Sequence, residues 1–194
     1  MIKNIFDKFF SLLLIILFLP IFISISFSIM VNDGLPILFR QKRVGKNNKD
    51  FILYKFRTMK TSKKINTIDF RAYSRITKLG SLLRKTKLDE LPQLYNILIG
   101  DISFVGPRPE AREWVDKFYD KYEKILFIKP GLTDLASIKY RNEEKILSES
   151  YDPLKLYEQK ILPDKLRMNE EYVKNRSFIL DVKILLLTLK SLFA

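Results

Sequence analysis

The sequence predicts a mainly helical α+β domain joined to an N-terminal membrane segment, and three observations predict it. From Phe9 to Val31 the chain carries no charged residue, a run of about 23 positions that is long enough to cross a hydrocarbon core as helix. Two short runs rich in apolar and aromatic residues, Ile37–Gln41 and Phe51–Phe56, flank Val44-Gly45-Lys46-Asn47-Asn48, the pattern of a small β-hairpin with a basic loop. Beyond Arg75, apolar residues recur at helical spacing between proline and glycine breaks. At 194 residues, 47% of them apolar, the chain suits one modest domain with a buried core. The division falls at residues 1–35 for the membrane segment and 36–194 for the domain that follows.

Pro20 interrupts the apolar run. It lacks a backbone donor and its ring clashes with the preceding turn, so the helix bends there. Two geometries are open. One is a kinked spanning anchor with its short N-terminus on the far side. The other is a re-entrant hairpin that turns at Pro20 and leaves by the face it entered, with Lys3 and Lys8 joining Arg40, Lys42 and Arg43 on the cytoplasmic side. A cleaved signal peptide needs a shorter apolar region and a small-residue cleavage site, and neither is evident.

After the hairpin, Arg75–Thr86 reads as a short basic helix. A second helix begins near Asp89, with Pro92 in its first turn, and runs to Ile99 before Gly100-Asp101. Phe104–Pro109 is extended. A helix follows from Glu110 to Phe127, then a turn at Lys129-Pro130-Gly131, then helices over Pro153–Lys174 and Ser177–Phe193. Asp181, Lys183 and Lys190 make the last helix a core or interfacial element rather than a spanning one.

Composition narrows the chemistry. The chain has no cysteine and no histidine, which excludes disulfides, thiolate nucleophiles, Cys/His zinc sites and imidazole acid–base catalysis. An enzyme built from it works with carboxylates, Lys, Arg, Tyr or hydroxyls, and any metal is held largely by oxygen, which favours magnesium, manganese or calcium. Most of the net charge of +13 lies between Arg40 and Lys87, where about sixteen Lys or Arg stand against Asp50 and Asp69. Such a block implies an anionic partner. Its place beside an apolar segment favours lipid or a lipid-linked phosphate.

Three short constellations carry candidate chemistry. In Leu88-Asp89-Glu90-Leu91-Pro92, Asp89 falls near a helix N-cap, facing free N–H groups and the positive end of the dipole. Read alone, this is a helix cap. With Arg84, Lys85 and Lys87 just upstream, the carboxylate is expected to stay ionised, available as a nucleophile toward phosphorus or as a magnesium ligand. In Gly106-Pro107-Arg108-Pro109, two prolines fix the backbone around a guanidinium suited to bidentate phosphate binding, or else form a plain connector. In Tyr54-Lys55-Phe56-Arg57, a strand puts Lys55 and Arg57 on one face, either as a diphosphate cradle or as ordinary edge-strand cations. Trp114, Tyr119 and Tyr122 read as core or interface-anchoring aromatics, and Glu143 with Glu144 as a solvated face.

The order of these pieces resembles the bacterial sugar transferase family, the monotopic phosphoglycosyl transferases. The resemblance rests on Phe6-Asp7 before the apolar stretch broken at Pro20, and on Tyr54-Lys55-Phe56-Arg57-Thr58-Met59. It continues through Leu88-Asp89-Glu90-Leu91-Pro92-Gln93-Leu94 with Asn96, and through Gly100-Asp101-Ile102-Ser103-Phe104-Val105-Gly106-Pro107-Arg108-Pro109. Lys129-Pro130-Gly131-Leu132-Thr133 completes the set. Each motif alone is weak; the ordered set is specific.

The resemblance implies a re-entrant membrane hairpin followed by short helices packed at the membrane surface. It also implies transfer of a phosphosugar from a UDP-sugar donor to polyprenol (undecaprenyl) phosphate at the cytoplasmic face of the bacterial inner membrane, releasing UMP. Asp89 matches the family's nucleophile and would bind Mg2+ with the donor diphosphate, and Glu90 matches its partner. By motif position Lys55, Arg84 and Arg108 would hold phosphate groups, and Arg141 would contact the nucleotide. Membrane lipids are expected partners, nucleic acid is not, and a homodimer stands as an open expectation. Two departures matter. Leu19 precedes Pro20 where many relatives carry serine, and Asp134-Leu135-Ala136 follows Thr133 where Gly-Trp-Ala is common. A basic nucleic-acid-binding protein is the competing reading, using Phe51, Tyr54 and Phe56 for stacking. It predicts indifference to loss of Asp89.

Overall fold

The Pro20 ring sits where a helix tolerates it, in a first turn, so the apolar run folds as two helices rather than one. The computed structural model describes residues 2–60 and 75–192. Residues 61–74, the middle of the basic block, the side chain of Glu144 and the end of the predicted last helix at Phe193 lie outside them. Helix α1 spans Ile2–Leu17 and α2 spans Leu19–Asp33, bent by 62° at the junction. Among the described residues no single helix is long and apolar enough to cross a membrane. Along α2 the hydroxyl of Ser24 donates to the Pro20 carbonyl, Ser28 to Ser24 and Asn32 to Ser28, each at 2.8 Å. These polar groups are thus satisfied within the helix itself. Gly34 ends α2 with φ of 76°.

Strands β1 (Leu38–Val44) and β2 (Asp50–Phe56) form the predicted hairpin, in antiparallel register from Leu38 opposite Phe56 to Val44 opposite Asp50. Helix α3 (Lys78–Lys85) starts on Thr77, whose hydroxyl accepts from the Gly80 N–H. The expected helix from Asp89 to Ile99 is shorter. Leu88–Glu90 form a 3₁₀ turn, and α4 spans only Gln93–Ile99 with Pro92 at its cap position. The ring of Pro92 ends the register of the first turn and begins that of the second.

Strand β3 (Ser103–Val105) pairs in parallel with β4 (Gly131–Thr133), a second two-stranded sheet that sequence spacing does not announce. The two chains meet closely past its end: a Cβ on Gly131 would lie 2.1 Å from the Gly106 nitrogen, so only glycine fits there. The expected helix from Glu110 to Phe127 breaks at Phe118 into α5 (Arg112–Lys117) and α6 (Tyr119–Leu126). Trp114 and Tyr122 are buried in the core as predicted, whereas Tyr119 is exposed. Two short helices follow, α7 (Leu135–Lys139) and α8 (Glu143–Ser148). The stretch predicted as one helix from Pro153 divides into α9 (Pro153–Leu156), a wide π turn over Tyr157–Ile161 and α10 (Leu162–Asn175). Pro163 cannot donate to Gln159, and the widened turn accommodates its ring. Glu143 is not a freely solvated residue: it is half-buried and its carboxylate is ion-paired with the ammonium of half-buried Lys165.

Helix α11 (Phe178–Leu192) packs one face into the core, as one of its two predicted alternatives has it, and leaves apolar side chains exposed on the other. Ile184 is wholly buried, while Ile179, Val182, Leu186 and Leu189 face outward. Asp181, an acid in an apolar helix, accepts from Lys3 and from the Tyr172 hydroxyl, both at 2.6 Å. Lys3 also donates to the Val105 carbonyl at 2.8 Å, and Phe178 meets Phe6 edge-on with centroids 5.4 Å apart. The start of α1, strand β3 and α11 are thereby tied together.

Asn96 joins α4 to the hairpin. Fully buried, it accepts from the Tyr54 N–H at 3.1 Å and donates to the Ile52 carbonyl at 2.7 Å and to Asp101 at 3.0 Å. Asn96→Ala strands two backbone groups of β2 without partners. It is expected to lower the unfolding free energy by about 2–4 kcal/mol, measured by chemical denaturation in detergent micelles.

Candidate active site

The site is assembled from three segments far apart in sequence. Lys87, in a left-handed conformation (φ 59°), turns the chain out of the α3 region and into the 3₁₀ turn that carries Asp89 and Glu90. Strand β2 supplies Lys55, whose Nζ donates to Glu90 Oε1 at 2.9 Å. The Gly106–Pro109 turn supplies Arg108, whose two terminal nitrogens donate to the same carboxylate at 2.5 and 3.4 Å. Arg108 also donates to the Leu132 carbonyl at 3.3 Å. Glu90 is therefore held by two cations carried on separate segments of the chain.

Behind the Arg108 turn, Glu110 accepts from Arg43 at 2.9 Å, from the Ala111 N–H at 3.0 Å and from the Tyr157 hydroxyl at 3.0 Å. These bonds fasten the turn to β1 and to the helical core.

The two adjacent carboxylates occupy different electrostatic settings. Burial pushes Glu90 up, but Arg108 and Lys55 outweigh it and hold the carboxyl well below its ordinary range. Asp89 goes the other way. Burial raises it above the usual carboxylate value, against the opposing pull of Lys55, Lys87 and Arg84, and the neighbouring charge of Glu90 raises it further. This corrects the expectation that Asp89 would be a low-pKa helix cap: it lies in a 3₁₀ turn ahead of α4 and is largely shielded from water. Its Oδ1 is buried and has no hydrogen-bond partner among the described residues. An unpaired carboxylate oxygen in such a place costs free energy, and groups of this kind collect at functional sites.

Arg84 donates from Nε to the Thr58 hydroxyl at 2.9 Å and contributes to the positive field at Asp89. Arg57 does not share a cradle with Lys55. The strand ends at Phe56, and the buried Arg57 guanidinium instead donates to the carbonyls of Asp33 and Gly34 at 2.6 Å and of Leu35 at 2.9 Å, closing the C-terminus of α2. Arg141 is half-buried in the link between α7 and α8. The motifs did not single out Asp134 as a site residue. It is almost wholly buried, with one carboxylate oxygen accepting from the Arg108 N–H at 3.0 Å and the other from the Ser137 N–H at 2.6 Å. An aspartate directly before a helical run is an N-cap signal, and that signal was present.

Magnesium typically takes one or two carboxylates and completes its shell with substrate phosphates and water. The free Oδ1 of Asp89 fits that requirement, and no group of three or more acidic residues that would form a closed protein cage occurs among the described residues.

A model of the family described as bacterial sugar transferase matches residues 1–194. The chain is 32% identical to a UDP-N-acetylgalactosamine-undecaprenyl-phosphate N-acetylgalactosaminephosphotransferase of Aeromonas hydrophila, over 98% of this chain and 43% of that protein. It is 39% identical to the uncharacterized sugar transferase EpsL of Bacillus subtilis (strain 168), over 81% of this chain and 70% of that one. With a UDP-glucose:undecaprenyl-phosphate glucose-1-phosphate transferase of Xanthomonas campestris it shares 30% identity, over 96% of this chain and 37% of that protein. The chain thus spans less than half the length of two of these three relatives. With its whole length matched by the family model, this chain belongs to the bacterial sugar transferase family.

Proposed function

We propose that this protein transfers a phosphosugar from a UDP-sugar to polyprenol phosphate, with Asp89 as the nucleophile. The observation that carries the reading is a buried carboxylate with an unpartnered oxygen beside a carboxylate clamped by Lys55 and Arg108. Phosphoryl transfer demands positioning and charge neutralisation more than acid–base power, and a chain without histidine or cysteine can meet that demand. The reaction proceeds in two displacements. A carboxylate oxygen of Asp89 attacks the β-phosphorus, the bond to the bridging oxygen breaks, and UMP leaves. An oxygen of polyprenol phosphate then attacks the same phosphorus, freeing Asp89 and forming polyprenyl-diphosphate sugar. Lys55, Arg84 and Arg108 hold the phosphate oxygens, and Arg141 reaches the nucleotide. Mg2+ bound by Asp89 and the donor would supply charge neutralisation. Asp89 reacts as its ionised form, and burial makes that form costly, which favours its discharge onto phosphorus.

The acceptor is a lipid, so the reaction belongs at a membrane surface. The outward faces of α1 and α2 expose Ile5, Phe9, Ile16, Ile23, Phe27 and Val31, while their inner faces pack on the domain. The bent pair enters the bilayer and returns by the same face, the apolar side of α11 rests in the interface, and the site lies at the cytoplasmic face of the inner membrane. The charged residues flanking the pair support this topology.

Purified protein is expected to release UMP from a UDP-sugar in the presence of polyprenol phosphate and magnesium. Asp89→Asn is expected to abolish that release; turnover retained by the variant would remove Asp89 from the nucleophile's role. Stability separates the two carboxylates. Asp89→Asn removes a buried charge and should raise Tm at neutral pH, with the gain shrinking as pH falls and wild-type Asp89 takes up a proton. Glu90→Gln leaves Lys55 and Arg108 facing a neutral amide and should cost on the order of 3 kcal/mol at neutral pH. Because the folded Glu90 carboxyl lies below its unfolded value of 4.5, that loss should shrink as pH falls through the folded value. For topology, cysteines placed at the N-terminus and after Asn32 of this cysteine-free chain should be labelled from the same side of the membrane. Labelling from opposite sides would mean a spanning anchor.

A further inference from the structure

The guanidinium of Arg108 is placed by more than its own side-chain bonds. Along β4 and the residue after it, three successive acceptors grip the opposing turn. The Leu132 carbonyl takes a guanidinium N–H at 3.3 Å, the Thr133 carbonyl takes the Gly106 N–H at 3.1 Å, and Asp134 Oδ2 takes the Arg108 N–H at 3.0 Å. In return the Gly131 N–H donates to the Pro107 carbonyl at 2.9 Å. Asp134 is the only one of the three acceptors that acts through a side chain, so a mutation can remove it without touching the backbone ladder. It is about 1% exposed, and both its oxygens are occupied, the second by the Ser137 N–H at 2.6 Å at the start of α7. A carboxylate buried this completely needs opposite charge nearby, and the Arg108 guanidinium is close enough to feel its field.

We propose that Asp134 is a positioning residue for donor binding: it fixes the backbone of Arg108 so that the guanidinium meets both Glu90 and the donor diphosphate. The inference rests on the reading of Arg108 as a phosphate-binding group. It follows from the geometry of the turn. Pro107 and Pro109 restrict the backbone on either side of Arg108, and the Gly131–Pro107 and Glu110 bonds hold the two ends of the turn, but none of these reaches the Arg108 N–H itself. Asp134 takes that N–H and links it to the α7 segment that leads to Arg141. Without it, the Arg108 N–H loses its acceptor and the turn can shift relative to Glu90 and Lys55. Small displacements of a charge-binding group are expensive in binding.

UDP is the suitable probe, because every UDP-sugar shares its diphosphate. Its Kd is measured by calorimetry with magnesium on the detergent-solubilised full chain, for wild type, Asp134→Ala, Asp134→Asn, Arg108→Ala and the Asp134→Ala/Arg108→Ala pair. Asp134→Ala is expected to weaken UDP about tenfold. In the Arg108→Ala background the same change should have less than about a twofold effect, since the group it positions is gone. Asp134→Asn keeps the volume and one acceptor, and is expected to fall between wild type and alanine; it carries the test if the alanine variant fails to fold. Arg108→Lys serves likewise for Arg108→Ala. Equal losses with and without Arg108, or unchanged Kd in both Asp134 variants, would overturn the positioning role alone. An unchanged Kd in Arg108→Ala would overturn the reading of Arg108 itself, and this inference with it.

Discussion

Glu90 is a carboxylate with little access to water, and its charge is tolerable there only because Lys55 and Arg108 both pair with it. Those three residues belong to a strand, a 3₁₀ turn and a proline-bounded turn separated by tens of residues. Each contact is therefore also a constraint on how the segments dock. Asn96 serves the same junction with neutral groups, holding α4 to β2 through the otherwise unpaired edge of the hairpin. The small sheets are too short to be stable alone, and it is this polar stitching together with the apolar clusters beneath that keeps them in register.

Against that clamp, Asp89 stands out by what it lacks. One residue away from a fully engaged carboxylate, it has a buried oxygen with no protein partner among the described residues, and burial raises its affinity for a proton. Neighbouring carboxylates pushed in opposite directions by their surroundings are a common arrangement where two groups divide a chemical task. In the proposed transfer, Glu90 holds the cations in place and Asp89 is left free for phosphorus. The positive field that would receive a diphosphate is already present in Lys55, Arg84, Lys87 and Arg108, which explains why a buried acid is bearable there at all.

The N-terminal helices and α11 face two ways. Their inner sides belong to the same core as the site, with Leu14, Ile15 and Phe18 packed beside Leu94 and Ile97 of α4, the helix that directly follows Asp89 and Glu90. Their outer sides present apolar side chains to the surroundings. In the proposed transfer, an element with an apolar outer face and an inner face against the reacting segment would bring a lipid-borne acceptor close to Asp89.

Much of this was legible in the residues. The break at Pro20, the hairpin around Gly45–Asn48 and the mixed character of the last helix follow from local rules about proline, turn residues and apolar spacing. Where those rules failed, a non-local interaction prevailed. Arg57 left the face it was predicted to share with Lys55, because the carbonyls at the end of α2 offered it a better-satisfied place. Asp89 was read as an ionised, low-pKa helix cap because of its cap position and its basic neighbours in sequence, yet burial raised it. The sequence by itself determined the chemical inventory: carboxylates, guanidiniums and ammoniums with no imidazole or thiol, beside a broken apolar run. Only the tertiary structure decided which carboxylate is clamped and which is left unpaired, and that Asp134 holds Arg108. Burial and ion pairing are sums over residues far apart in the chain, and local spacing carries no record of them.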